Sequence, residues 1–165
     1  MPAFLANVLE PKFARPATVA AVIDLAPRLR KVIFEGRALR GAPFDPGCEV
    51  EFRVYDRAFR HYTASGFDTI RGAFDVVFFL HGRGPGSAWA EGLREGQRVN
   101  VLGPGGGLSL RPGCADNVLL GDETTIGLFT CLEATARCRG AIEVSGEGLD
   151  WPARAGSRLA AVERT

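Results

Sequence analysis

Lysine, histidine and long apolar runs are scarce in this 165-residue chain. Lys12 and Lys31 are its only lysines, and His61 and His81 its only histidines. With 20 basic against 19 acidic residues and a formal net charge of +1, it carries no field that would hold a polyanion, which argues against nucleic acid as a partner. No stretch reaches the ~18 consecutive apolar residues that mark a membrane-spanning helix. The N-terminal MPAFLANVLEPKFARP has no basic segment followed by an apolar core, so neither a membrane span nor a secretory leader is expected. Cys48, Cys114, Cys131 and Cys138 form no C-x-x-C pair and have no histidine close by in sequence. That pattern excludes a zinc ligand set, predicts no metal site, and reads as reduced thiols in a cytoplasmic protein. Cys131 and Cys138 are expected on one face of a single helix, where small thiols are ordinary core residues.

What the chain does have is arginine, glycine and β-branched residues in short blocks. Every basic residue other than the two lysines is an arginine, the better bidentate partner for phosphate and carboxylate. Six short strands are predicted at 17–24, 29–35, 49–56, 74–80, 99–102 and 108–110, separated by Pro27, by the turn-rich 36–47 and by Gly103-Pro104-Gly105-Gly106-Gly107. The nearly unbroken apolar run 74–80 reads as a strand buried on both faces. Six strands with turn signals at this spacing fit a closed antiparallel β barrel. After Pro112 the rhythm becomes strand (117–120), helix (124–136), strand (141–145) and strand (159–163), the opening of an α/β unit. The fold class is therefore a six-stranded antiparallel barrel over residues 1–112 followed by a partial α/β domain over 113–165, the latter below the usual domain size.

Two clusters carry the chemistry. In Phe59-Arg60-His61-Tyr62-Thr63 the alternation of a strand points Arg60 and Tyr62 to one face. About twenty residues later, His81-Gly82-Arg83-Gly84-Pro85-Gly86-Ser87-Ala88-Trp89-Ala90 reads as a glycine-rich phosphate loop at the head of a helix. An arginine, an aromatic ring and a set of backbone amides are what the pyrophosphate and flat ring of a flavin dinucleotide require. Taken singly, each has a plainer reading. Gly84-Pro85-Gly86 is a turn, His61 points away from Arg60 and Tyr62 as a surface residue, and Trp89 packs on the barrel as a helix residue. Further on, Gly121-Asp122-Glu123-Thr124-Thr125 follows an apolar strand and opens an apolar helix. It serves either as the edge of a nicotinamide cofactor site or as a capping box in which Asp122 or Thr124 caps the helix.

These motifs, in this order, resemble those of the siderophore-interacting proteins, a branch of the ferredoxin-reductase-like flavoproteins. The resemblance spans residues 17–145. It implies an FAD-binding barrel and a nicotinamide-binding α/β domain that pass electrons from NAD(P)H through FAD to a ferric siderophore in the cytoplasm. By resemblance, Arg60 would bind the FAD pyrophosphate, Tyr62 would lie against the isoalloxazine ring and Thr63 would reach the N5 and O4 edge. The amides around Gly84, Gly86, Ser87 and Ala88 would face the pyrophosphate, with Pro85 in the same loop and His81, Gly82, His61 and Trp89 lining the same pocket. Asp122, Thr124 and Thr125 would border the NAD(P)H site.

The chain departs from the family pattern in places. Glu51 stands where members commonly carry a cation that helps hold anionic siderophores, leaving Arg53, Arg57 and Arg71 as candidates to compensate. Ala64 and Ser65 stand where many have a second arginine, and Thr125 and Gly127 where an alanine and a proline are usual. Ending at Thr165, the chain offers only the start of a nicotinamide site. The alternative is an FAD-binding module with little or no turnover of its own, acting with a partner or as a truncated form.

Overall fold

Residues 14–165 are described by a computed structural model; the N-terminal stretch read for targeting signals lies outside them up to residue 13. A long first strand, β1 (Arg15–Ala26), turns at Pro27 and Arg28 into β2 (Leu29–Glu35). The register of β2 continues without a break onto β6 (Ala73–Phe79), from Leu29 opposite Phe79 to Glu35 opposite Ala73. β5 (Gly66–Asp68) closes that side. On the other side β1 pairs with β7 (Arg98–Gly105), β7 with β3 (Glu49–Tyr55), and β3 with β4 (Ala58–Thr63). All these pairings are antiparallel, and the strand order is β4-β3-β7-β1-β2-β6-β5.

The antiparallel sheet and the parallel unit after it agree with the sequence, but the strand count is seven rather than six. Residues 108–110 form no strand, because the chain turns back at Gly107, whose φ of 104° only glycine adopts readily. A β-carbon there would sit 2.0 Å from the Gly47 carbonyl oxygen. In its place β4 and the three-residue β5 join the sheet. Nor do hydrogen bonds close the barrel along a seam, since β4 and β5 stand at opposite ends of the strand order. The corner between them does the closing: the Ala64 amide donates to the Cys48 carbonyl and the Ser65 amide to the Asp75 carbonyl, at 3.3 and 2.8 Å.

Alternation along the strands fills the interior. Val50, Phe52 and Val54 of β3 point inward with Val32 and Phe34 of β2 and Phe74, Val76 and Phe78 of β6. Ring centroids of Phe34 lie 5.0 Å from Phe52 and 5.1 Å from Phe74, an aromatic cluster in which each pair adds about 0.5–1.5 kcal/mol beyond its buried area.

β6 is buried on both faces, as its apolar run predicts. Its outer face, at Val77 and Phe79, meets a second core under the parallel unit. That unit consists of β8 (Asn117–Asp122), α2 (Ile126–Glu133), β9 (Cys138–Val144), α3 (Trp151–Ala155) and β10 (Ala160–Glu163), with strand order β10-β9-β8. Leu119, Ile142 and Val144 meet Ile126, Phe129, Leu132 and Trp151 on one side of this sheet. Both helices lie on that side.

The helix after β8 is shorter than its apolar pattern suggests. The Thr135 and Ala136 amides and the Thr135 hydroxyl all turn back to the Leu132 carbonyl, which ends α2. Cys138 therefore belongs to β9, not to a helix shared with Cys131. Burial raises the thiol pKa of Cys131 and of Cys48. Among the described residues no helix is long and apolar enough to cross a membrane.

Candidate flavin site

α1 (Gly84–Gly92) begins at Arg83, whose extended backbone turns the chain into the helix, with Pro85 at the start where an amide hydrogen would have no partner in any case. No acidic residue sits in its first turn, so its positive end is not neutralised from within. Ser87, only 4% exposed, accepts a hydrogen bond from the Gly82 amide at 3.1 Å and ties the incoming loop to the helix. The His81 ring nitrogen Nδ1 accepts from the Arg83 amide at 3.2 Å.

β4 passes directly beneath this turn. A β-carbon on Gly86 would lie 2.6 Å from the Tyr62 hydroxyl and 3.3 Å from the Arg60 side chain, so the helix approaches the strand this closely only with glycine there. Tyr62 packs edge-on against Phe78, centroids 4.7 Å apart, and stacks at 6.4 Å on Trp89. Burial raises the pKa of its phenol, with the Arg60 charge pulling the other way. Trp89 in turn lies 4.8 Å from Phe52, bracing Tyr62 from the barrel interior.

A cleft of about 440 Å³ opens between β4, α1 and α2. Arg60, His61, Tyr62 and Thr63 line it from β4, and His81, Gly84, Pro85, Gly86 and Ser87 from the loop and helix head. Val76 to Phe79 form its floor, and Thr124, Gly127 and Leu128 its far wall. The structure thus brings ten of the candidate residues into one cavity. Gly82, Ala88, Trp89, Asp122 and Thr125 are not in its lining. Gly82 and Trp89 stand behind it in the roles just given, while Ala88 lies on the exposed side of α1.

Around the Gly121 turn Asp122 caps a single 3-10 turn (Glu123–Thr125), while the helix that follows from Ile126 has no side-chain cap. Asp122 Oδ1 accepts from the Thr124 amide at 2.9 Å and from its hydroxyl at 2.6 Å, and the Thr125 hydroxyl donates to the Asp122 carbonyl at 2.7 Å. Only Thr124 of this group reaches the cleft.

The electrostatics of the cleft come from cations not named together by sequence reasoning. Arg60 donates to its neighbour's carbonyl, Phe59, at 2.7 Å and has no carboxylate partner among the described residues. Arg83, passed over as a spacer within the second cluster, is a second exposed guanidinium on the same cavity. Its place at the helix N-cap is the signal that would have found it. Glu49 also lines the cleft, standing opposite Thr63 in the strand register.

His61, at the edge of the cleft, stands between Glu49 at 3.3 Å and Glu51 at 3.2 Å. The three arginines considered as substitutes for a cation at position 51 are engaged elsewhere: Arg53 and Arg57 with Asp56 at 3.5 and 3.6 Å, and Arg71 with Glu35.

Residues 55–108, which include β4, the loop and α1, match the family model of the siderophore-interacting FAD-binding domain. Over 92% of its length the chain superposes on a siderophore utilization protein from T. fusca, with a TM-score of 0.74 and 26% identity, covering 69% of that protein. The siderophore-interacting protein SipS from Aeromonas hydrophila is similar at a TM-score of 0.73 and 24% identity over 93% of this chain and 69% of that one. Phthalate dioxygenase reductase, described as a modular structure for electron transfer from pyridine nucleotides to a 2Fe-2S centre, shares the fold at a TM-score of 0.76 and 14% identity, covering 93% of this chain and 53% of that one.

Proposed function

We propose that this chain, similar to siderophore-interacting proteins over 92% of its length and to their FAD-binding domain across residues 55–108, holds FAD in the cleft between β4 and α1. On this reading it is a cytoplasmic flavin-dependent oxidoreductase that takes electrons from NAD(P)H and delivers them to a ferric siderophore or a similar small-molecule acceptor. One observation carries the proposal: the Arg60 side chain, which has no carboxylate partner among the described residues, lies against the first turn of α1 and lines the same cavity.

The residues present fit the cofactor. Two guanidiniums without carboxylate partners among the described residues, a helix start free of acidic residues and a glycine-permitted close approach make a place for a diphosphate. Arg60 contributes the largest share, because a hydrogen bond between charged groups is worth about 1.5–3 kcal/mol and a helix end about 0.3–1 kcal/mol. Tyr62, fixed by Phe78 and Trp89, presents a rigid ring edge, and the Thr63 hydroxyl can donate or accept at the ring's polar rim. FAD itself supplies the hydride and electron chemistry, so no protein acid or base is obligatory. The chain's task is to bind, orient and shield.

Colour and cofactor content of the purified protein test FAD binding. Anaerobic titration with NADPH and with NADH tests turnover, the oxidoreductase reading requiring that one of them bleaches the bound flavin.

A second reading, an FAD module with little reduction by NAD(P)H of its own, has a specific observation in its favour. The C-terminal ends of β8, β9 and β10, where α/β sheets receive nucleotides, present Asp122, Glu143 and Glu163. Arg164, 3.6 Å from Glu143 and bonded to Glu123, only partly offsets these carboxylates, which disfavour dinucleotide phosphates; a flavin left oxidised by both nucleotides would select this reading.

A further inference from the structure

Alternation along β2 sends Leu29 to the core under the parallel unit and Val32 and Phe34 into the barrel. Arg30 shares the parity of Val32 and Phe34, so it holds an interior position, directly opposite Phe78 in the register of β2 on β6. Its side chain is only 13% exposed. A charge taken this far from water needs partners.

Its Nε donates to Asp24 Oδ1 at 2.6 Å, from the facing position of β1. Its Nη1 reaches across to the tail of α1, donating to the Ala90 carbonyl at 3.3 Å and the Glu91 carbonyl at 2.7 Å. These lie in the last turn, where a helix leaves carbonyls to be satisfied from outside and where a cation complements its negative end. Arg94 also donates there, to the Glu91 and Leu93 carbonyls at 2.7 Å each. Arg94 follows the helix directly in sequence and caps it from its own segment, whereas Arg30 joins it to a central strand pair of the barrel.

α1 is thereby held at two points. Its head meets β4 at Gly86, and its tail meets β2 at Arg30, about 7.5 Å further along the axis at ~1.5 Å per residue. A helix held at its head alone pivots about that point; held at both ends, it keeps its first-turn amides aimed. Phe78, the register partner of Arg30, forms part of the cleft floor and packs edge-on against Tyr62. Arg30 itself is not in the lining of the cleft.

We propose, resting on the flavin reading above, that Arg30 is a positioning residue for the diphosphate. Without touching the cofactor it fixes the tail of α1 to β2, and so keeps the amides of the helix head and the Arg60 side chain converging on one anion. Any weakening of that tie moves the helix head relative to Arg60, and the loss falls on the diphosphate rather than on the flavin ring.

Titration of apo-protein with FAD and with riboflavin, alongside amide hydrogen exchange across α1 of the same apo-protein, tests this. Arg30→Met keeps the bulk of the stem and removes the fork. It is expected to weaken FAD binding at least ~10-fold, to leave riboflavin affinity within about twofold, and to speed exchange of the 88–92 amides at least ~10-fold. Arg30→Lys, a single point donor that cannot serve both carbonyls and Asp24 together, is expected to lose FAD affinity at least ~3-fold in the same selective way, and it carries the test should Arg30→Met not fold. Arg94→Met should change FAD affinity by less than about threefold, since the tie to β2 is intact. Equal losses of FAD and riboflavin affinity in the Arg30 variants would make the residue structural only and overturn the proposal. Unchanged exchange, or an Arg94→Met protein as impaired as Arg30→Met, overturns it too. A wild type that binds no FAD defeats the flavin reading instead, and exchange across α1 then decides alone whether Arg30 holds the helix.

Discussion

The Tyr62 hydroxyl lies 2.6 Å from where a β-carbon on Gly86 would be, so the head of α1 and strand β4 are in contact at the place where a diphosphate would sit. Gly86→Ala should destabilise the protein by about 1–3 kcal/mol through overpacking, and lift the helix off the strand far enough to weaken FAD binding. Tyr62→Phe removes the oxygen that the new methyl meets. Added to Gly86→Ala, it should restore part of the loss, a coupling that denaturant midpoints of the two single variants and the double variant measure.

On the proposed reading Ser87 acts chiefly as a brace, its hydroxyl accepting from the Gly82 amide. Ser87→Ala should cost about 1 kcal/mol of stability, seen as a lower thermal midpoint, and change FAD affinity by less than about threefold. A tenfold loss of affinity at unchanged stability would make the hydroxyl a direct ligand instead.

Alkaline pH offers an independent check on Tyr62. Burial raises its pKa in the folded protein above the value near 10 that it has when unfolded. Between those two values the unfolded chain has lost a proton that the folded one keeps, so stability falls as pH rises through this window. Below pH ~10 both states are protonated and the effect vanishes. Denaturant midpoints of the apo-protein should therefore drop above pH ~10, and drop less in Tyr62→Phe.

Glu123 anchors the end of the parallel unit apart from the flavin cleft. Its carboxylate, 2% exposed, accepts from the Ser145 amide at 2.9 Å and from Arg164 at 2.6 Å. Glu123→Ala should lower stability by about 2 kcal/mol through the lost charged hydrogen bonds, with FAD affinity unaltered. An equal loss of FAD affinity would mean that the α/β unit holds the cofactor directly.

How much of this was legible in sequence depends on the range of the interaction. β2, β3 and β6 followed from alternation and apolar runs, since strand period is a local property. β5 was invisible because three residues carry no period, and it exists only by pairing Gly66–Asp68 with β6. The false strand at 108–110 looked apolar enough, yet the approach of Gly107 to Gly47, sixty positions away, decides that segment. The Arg60 and Gly84–Ser87 clusters were readable because each bears its chemistry in a few consecutive residues. Glu49 was not, since nothing local says that a strand end will face this cavity, and Arg83 was legible only through its place just before the helix. Glu51 was noticed only as a missing cation. Its pairing with His61 across two strands is a matter of register.

Titration of apo-protein with FAD and with riboflavin, which lacks the diphosphate, tests the central assignment most directly. The account predicts that wild type binds FAD at least ~10-fold more tightly than riboflavin, and that Arg60→Ala removes at least ~10-fold of the FAD affinity while leaving riboflavin affinity unchanged. An Arg60→Ala protein that purifies yellow and fully loaded with FAD would contradict it.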